Sequence, residues 1–158
     1  RRVRRLRGRE PPHPAGPGRG RRDPGDPAGA GEGGALSLDD VEHVNAHATS
    51  TPEGDRTELE MLRGLFGERA GAVSVTANKS MLGHTLGAAG SIEAVTTILS
   101  LRHGVIPPTI NLRDPDEAAA GLDLTPNVAR ERPIRVAVSS SFGFGGQNGA
   151  LAFTRWDA

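Results

Sequence analysis

The chain has 158 residues, enough for one ordinary domain with a buried core. Its 19 basic and 19 acidic side chains balance, so the charge favours neither a nucleic-acid nor a membrane partner. It contains no cysteine, which excludes disulfides, thiolate metal sites and thiol catalysis within this chain. No apolar run reaches the length of a membrane span and no signal-peptide pattern is present, so we expect a cytoplasmic protein.

The first 34 residues differ in composition from the rest of the chain. They contain nine arginines, are dominated by glycine and proline, and show no apolar period. Such a segment cannot bury enough apolar surface to offset its ordering entropy, so residues 1–34 are predicted to be disordered. An arginine-rich arm could bind nucleic acid, but no aromatic residue is interleaved with these arginines for base stacking. We therefore expect no nucleic-acid partner.

Strand and helix patterns begin at residue 35 and alternate from there. The second of two predicted helices is expected to be deeply buried, because glycine and alanine near its start allow close packing. The last two strands are expected to form a hairpin, and the whole pattern predicts an α/β sandwich. The predicted strands are 41–46, 73–76, 134–139 and 149–155, with a weak one at 122–124, and the predicted helices are 53–66 and 84–103.

Three segments place polar groups at the edges of these elements. His47 follows the first strand within Asn-Ala-His-Ala-Thr-Ser-Thr-Pro-Glu-Gly-Asp, and Lys79, the only lysine, precedes His84 in Asn-Lys-Ser-Met-Leu-Gly-His. The third segment is the glycine-rich Ser-Phe-Gly-Phe-Gly-Gly-Gln-Asn at 141–148. Singly, each pattern is weak, since a lone histidine at a strand end is more often structural and a glycine-rich loop can be a simple tight turn.

Together, the three segments resemble the second-half motifs of elongating β-ketoacyl-acyl-carrier-protein synthases of the thiolase superfamily. His47 is similar to the first active-site histidine of that family, and Lys79 and His84 look like its lysine and second histidine. The 141–148 segment resembles the C-terminal gating and oxyanion loop. The resemblance covers Leu36–Trp156, and it implies that residues 35–158 are the β-ketoacyl synthase C-terminal domain, half of a thiolase-like layered α/β sandwich.

The resemblance also implies a reaction, the decarboxylative Claisen condensation of malonyl-acyl-carrier-protein with an acyl thioester in fatty acid or polyketide biosynthesis. In that reaction His47 and His84 would donate hydrogen bonds from Nε2 to the thioester enolate oxygen. Lys79 would be the third catalytic residue and would lie in a buried polar network behind the two histidines. A buried ammonium is costly unless paired, so the match implies a Lys79–Glu58 ion pair.

Further roles follow from the same match. Asp55 would help to fix the loop after the first strand, although an ordinary helix N-terminal acid would explain Asp55 and Glu58 equally well. Thr49 and Thr51 would contact the phosphopantetheine arm, with simple turn chemistry as the alternative.

The glycine-rich loop would contribute to the oxyanion hole and the acyl gate. The backbone N–H of Phe144 would complete the oxyanion hole, its ring would gate the acyl pocket, and Phe142 would be a packing or gating partner. Gly143, Gly145 and Gly146 would give the loop the backbone freedom to swing.

The implied partners are an acyl carrier protein and an N-terminal synthase half that would supply the missing nucleophilic cysteine. Intact relatives form homodimers. We expect no metal and no cofactor apart from the phosphopantetheine of the carrier protein.

Two alternatives to an enzyme part remain open, namely a non-catalytic binding module for acyl carrier protein and an inactive pseudogene product. The composition of residues 1–34 suggests a frame-shifted translation of a GC-rich synthase gene. Translating the upstream DNA in all frames tests this hypothesis.

Overall fold

A computed structural model of the chain describes residues 4–6 and 36–156. A five-stranded sheet contains β1 (Arg4–Leu6), β2 (His43–Asn45), β3 (Ser74–Thr76), β6 (Val136–Phe142) and β7 (Asn148–Thr154), and β4 (Val105–Ile106) pairs separately with β5 (Arg130–Glu131). The order in the sheet is β1-β7-β6-β2-β3. Strand β2 is parallel to β3 and β6, whereas β7 is antiparallel to β6 and to β1.

Two long helices cover opposite faces of this sheet. They are α1 (Pro52–Phe66) and α3 (Ala89–His103), and the short α2 (Lys79–Leu82) lies between them in the chain. Val44 on β2 belongs to the same buried cluster as Leu62 and Phe66 of α1. Its neighbour Asn45 points to the other face, where its amide donates to the backbone oxygen of Glu93 on α3 at 3.1 Å. This arrangement confirms the predicted α/β sandwich.

Helix α1 forms as the sequence predicts. Pro52 occupies its first turn, where the missing N–H costs nothing, and Gly67 ends it with a φ of 52°. Leu62 and Phe66, one turn apart, are 3 % and 8 % exposed and pack on the sheet. The predicted helix at 53–66 is therefore confirmed.

The second long helix differs from the prediction at its start and in its burial. It begins at Ala89 and not at residue 84, because Leu86 has a φ of 51°, which interrupts the helix. The expectation of a deeply buried apolar helix is also wrong in detail. Its Glu93, Thr97 and Ser100 side chains are buried, while Val95 and Leu99 are 55 % and 43 % exposed.

The strand predictions are mostly confirmed. The expected strands at 41–46, 73–76, 134–139 and 149–155 correspond to β2, β3, β6 and β7, and β6 and β7 form the expected hairpin. The weak strand at 122–124 is wrong, since among the described residues this segment makes only an isolated bridge between Ser74 and Asp123. The Asp123 carboxylate there accepts hydrogen bonds from Ser74 on β3 and Arg130 on β5, so side chains tie the segment to its neighbours. The β4–β5 pair was not predicted.

Of the predicted disordered tract, the structure describes only residues 4–6, whose backbone pairs with β7. The rest of residues 1–34 lies outside the described residues, so disorder there stays a prediction. Within the described ranges no helix combines the length and apolar character that crossing a membrane requires.

Candidate active site

The three sequence motifs meet at one edge of the sheet. Strands β2, β3 and β6 are parallel, so their carboxyl ends lie together. His47 follows β2, Lys79 follows β3 at the start of α2, and Phe142 ends β6. The parallel pairing therefore brings residues that are 32 to 95 positions apart into one site.

The two histidine rings lie side by side in this site. The ring centroids of His47 and His84 are 5.8 Å apart, and the ring planes make an angle of 87°. The ring of Phe142 contacts His47 on another side, also with centroids 5.8 Å apart. His47 is partly buried and His84 is exposed, so the pair is open on the His84 side.

Hydrogen bonds fix the same tautomer for both histidines. The backbone N–H of Leu86 donates to His84 Nδ1 at 3.1 Å. The ammonium of Lys79, which has only donors, lies 3.4 Å from His47 Nδ1. Because both Nδ1 atoms accept, the proton of each neutral ring is on Nε2. Each histidine thus presents an Nε2–H donor.

Lys79 pairs with a different carboxylate from the one expected. Its ammonium binds Glu93 Oε1 of α3, and the two side chains are 6 % and 3 % exposed. The predicted Lys79–Glu58 ion pair is therefore wrong. Glu58 is occupied by backbone amides, whereas Glu93 projects from the buried face of α3 directly toward Lys79.

Burial lowers the pKa of His47 below its ordinary value, and the Lys79 ammonium lowers it further. Both effects disfavour the imidazolium form. His47 is consequently a neutral ring at physiological pH, as the hydrogen bond from Lys79 requires.

Glu58 organises the loop that carries His47. Its two carboxylate oxygens accept the backbone N–H groups of His47 at 2.9 Å and Ala48 at 2.8 Å. The hydroxyl of Ser140 on β6 donates to the same carboxylate at 3.0 Å. Ala48 has a φ of 34°, a strained value for a residue with a side chain. Glu58 therefore links α1, β6 and a strained turn beside the histidine pair.

Asp55 fixes the next turn of the same loop. Its carboxylate accepts the backbone N–H of Ser50 at 3.0 Å, and Ser50 has a φ of 65°. This contact agrees with the loop-fixing role expected for Asp55. The hydroxyls of Thr49 and Thr51 lie 3.2 Å apart on the exposed side of the loop.

The glycine-rich loop turns tightly after Phe142. The N–H of Gly143 donates to the carbonyl of Gln147 at 3.1 Å, and Gly145 has a φ of 75°. A Cβ on Gly143 would lie 3.0 Å from the Gln147 oxygen, so a side chain there would push the Gln147 carbonyl outward. Phe144 is fully exposed, whereas Phe142 contacts His47. The oxyanion and gating roles of this loop stay predictions.

Sequence reasoning missed Glu93 and Ser140. A signal for Glu93 was present, since it is the only charged residue between His84 and Arg102. An isolated acid in an otherwise uncharged helical segment indicates a buried partner. Ser140 carries no comparable signal, because it lies within a run of three serines.

Within residues 36–156, no group of three or more histidine or acidic side chains is arranged to hold a metal ion. The expectation that the protein needs no metal or cofactor stays a prediction.

Comparison with known proteins identifies the family of this chain. A family profile described as "Beta-ketoacyl synthase, C-terminal domain" matches residues 30–113. The chain is 49 % identical over 120 residues to 3-oxoacyl-[acyl-carrier-protein] synthase 2 of Coxiella burnetii (strain RSA 493 / Nine Mile phase I). The matched region covers 76 % of this chain and 29 % of that protein. The chain spans about a third of the length of the curated relatives it matches.

Solved structures give the same result. A β-ketoacyl synthase from Burkholderia phymatum STM815 superposes with a TM-score of 0.70 at 39 % identity, covering 75 % of this chain and 28 % of that one. The AntDE:AntF structure, a type II polyketide synthase acyl-carrier protein in complex with its ketosynthase bound to the hexaketide, superposes with a TM-score of 0.73 at 34 % identity, covering 77 % of this chain and 30 % of that one. These matches confirm the expected thiolase-like class of fold, whereas the domain bounds 35–158 stay a prediction. The chain belongs to the β-ketoacyl synthase family, and it carries that family's C-terminal domain.

Proposed function

We propose that this chain supplies the enolate-stabilising site for the decarboxylative Claisen condensation of a malonyl thioester with an acyl thioester. The observation that carries the proposal is the histidine pair. His47 and His84 lie with ring centroids 5.8 Å apart, and each has an accepting Nδ1 and therefore an Nε2–H donor.

Decarboxylation creates negative charge on the thioester oxygen. As the bond to the carboxylate breaks and CO2 leaves, its electron pair moves onto the α-carbon and is delocalised to the carbonyl oxygen. Two Nε2–H donors directed at that oxygen stabilise the charge as it develops. Neutral donors suit this step, because a net cation would bind the starting carboxylate as strongly as the transition state.

The Lys79–Glu93 pair supports this choice of neutral donors. Lys79 donates to His47 Nδ1, which keeps the His47 proton on Nε2. Glu93 offsets the positive charge of Lys79, so the site gains a tautomer-fixing donor without a net cation behind the histidines.

Condensation needs a second group that this chain lacks. The carbanion attacks the carbonyl carbon of an acyl group held on a thiol, the new carbon–carbon bond forms, and the thiolate leaves. The chain has no cysteine, so we propose that the thiol belongs to an N-terminal synthase half, within a homodimer as in intact relatives. The backbone N–H of Phe144 would complete the oxyanion hole for that step.

The proposed substrates arrive on an acyl carrier protein. The hydroxyls of Thr49 and Thr51 lie on the exposed rim of the His47 loop, where they could hydrogen-bond a phosphopantetheine arm. The AntDE:AntF relative, a ketosynthase in complex with an acyl-carrier protein, supports this choice of partner. We propose no other cofactor and a cytoplasmic location.

The test is decarboxylation without condensation. Malonyl-pantetheine is incubated with the chain, and acetyl-pantetheine is measured by liquid chromatography and mass spectrometry. We expect acetyl-pantetheine, no β-ketoacyl product, and a loss of about 10²–10³-fold in rate for His47→Ala and for His84→Ala. His103→Ala, at the exposed end of α3, is the matched control. Equal rates for all three variants and the unmodified chain would reject the proposal.

A further inference from the structure

Thr51 occupies the N-cap position of α1 without capping the helix. A threonine at this position normally accepts a hydrogen bond from the second or third amide of the helix. Here the Thr51 side chain makes no capping hydrogen bond. Its hydroxyl lies 3.2 Å from that of Thr49 instead. The side chain is thus turned toward the loop that carries His47.

Gly54 lies directly beneath this hydroxyl. It is the third residue of α1, an unfavourable place for glycine on helix propensity alone. A Cβ built on Gly54 would lie 2.5 Å from Thr51 Oγ1 and 3.6 Å from Thr49 Oγ1. The first distance is far below van der Waals contact, whereas the second is an ordinary contact.

The stereochemistry of threonine decides what an added methyl group would do. Cβ of Thr51 carries an oxygen, a methyl carbon and a hydrogen in three staggered positions. Of the three Thr51 rotamers, only the one that points the Cβ hydrogen at residue 54 leaves room for an added methyl group. In that rotamer the Thr51 Oγ1 leaves its present position. An alanine at 54 would therefore separate the Thr51 hydroxyl from that of Thr49.

We propose that Gly54 is a positioning residue that lets the Thr51 hydroxyl pair with Thr49 and face the ligand. The proposal rests on the proposed function, in which the two hydroxyls bind the amide-rich pantetheine arm. Each hydroxyl carries one proton, so a bonded pair leaves one donor and free lone pairs for a ligand amide. Gly54 thereby determines whether the pair is formed before the ligand arrives.

The chain offers a closely matched control. Gly64 lies in the same helix, and a Cβ there would meet nothing within 4 Å. Gly64→Ala therefore makes the same chemical change without touching a threonine. Thr51→Val removes the hydroxyl itself and reports on the proposed function separately.

The first measurement needs no ligand. Three-bond couplings from the Thr51 methyl group to backbone N and C′ report its χ1 rotamer by NMR. We expect one rotamer in the unmodified chain and in Gly64→Ala, and a different one in Gly54→Ala. An unchanged Thr51 rotamer in Gly54→Ala would overturn the inference, whatever the ligand.

The second measurement is pantetheine binding by NMR titration. We expect Gly54→Ala and Thr51→Val each to weaken binding about tenfold, the loss of roughly one hydrogen bond, and Gly64→Ala to bind as the unmodified chain does. If Thr51→Val weakens binding and Gly54→Ala does not, the inference about Gly54 is wrong. If Thr51→Val binds normally, the proposed ligand role of the hydroxyl is wrong, and the positioning role falls with it.

Discussion

Lys79 and Glu93 form an ion pair in the protein interior, with side chains that are 6 % and 3 % exposed. The same ammonium donates to Nδ1 of His47, so one buried cation joins α3 to the histidine pair. Both charged side chains are thus largely shielded from bulk water. The stability of the domain and the protonation of His47 therefore depend on the same contact.

Removing only Lys79 should be more damaging than removing the whole pair. Lys79→Met leaves the Glu93 carboxylate buried without its cation, and we expect the free energy of unfolding to fall by about 3–5 kcal/mol. The double variant Lys79→Met/Glu93→Leu removes both charges and should recover most of this loss. Urea unfolding measures both values. A double variant no more stable than Lys79→Met would show that the pair is not the cause.

Loss of the Glu58 charge should loosen the turn after β2. In Glu58→Gln one oxygen becomes an amide nitrogen, which cannot accept from a backbone N–H, and we expect a loss of about 1–3 kcal/mol. Hydrogen exchange at the amides of His47 and Ala48 should accelerate. Glu60→Gln, on the exposed side of α1, is the control and should leave both amides protected. Unaltered exchange in Glu58→Gln would contradict the role given to this carboxylate.

Acid should destabilise the fold through His43. This ring is completely buried and its Nδ1–H donates to the carbonyl of Ser74 at 3.0 Å. Burial lowers the pKa of His43 to about 4, so between pH 6.5 and 4 the unfolded chain binds more protons than the folded one. The stability from this group is present above pH 6.5 and is lost as the pH falls toward 4, roughly 3 kcal/mol in all.

Urea unfolding between pH 5 and 7 measures this slope. His43→Gln keeps a neutral donor and should flatten the dependence of stability on pH, whereas His103→Gln, at an exposed position, should not. A slope that survives in His43→Gln would assign the acid sensitivity to other groups.

Two leucines on α1 should differ sharply in their contribution to stability. Leu62 is 3 % exposed and packs on the sheet, whereas Leu65 is 45 % exposed. We expect Leu62→Ala to cost about 2–5 kcal/mol and Leu65→Ala about 0.5 kcal/mol or less, measured by urea unfolding. Similar losses for the two variants would mean that the exposed face of α1 is also packed.

The sequence was sufficient to predict the elements whose local patterns agree with their packing. Helix α1 has a proline at its start, apolar residues one turn apart and a glycine stop, and it forms where predicted. The prediction failed where backbone conformation overrides a continuous apolar pattern. Leu86 takes a left-handed conformation, so α3 begins at Ala89 although the apolar period runs through the break.

The sequence predicted which residues meet at the candidate site, but not which carboxylate pairs with Lys79. The motif resemblance identified His47, Lys79 and His84, and the structure brings them together. It also led to the wrong acid for Lys79, because sequence spacing does not show which carboxylate is already occupied by backbone amides. Glu58 takes two N–H groups, which leaves Glu93 for the lysine.

The proposed function requires that His47 and His84 each carry a proton on Nε2 and none on Nδ1. Two-bond ¹H–¹⁵N NMR correlations of the imidazole rings at pH 7.5 test it most directly, because protonated and unprotonated ring nitrogens have well-separated shifts. We expect unprotonated Nδ1 and protonated Nε2 for both His47 and His84, and we expect Lys79→Met to remove the Nε2 preference of His47. A protonated Nδ1 on either ring, or a His47 that is charged at this pH, would contradict it.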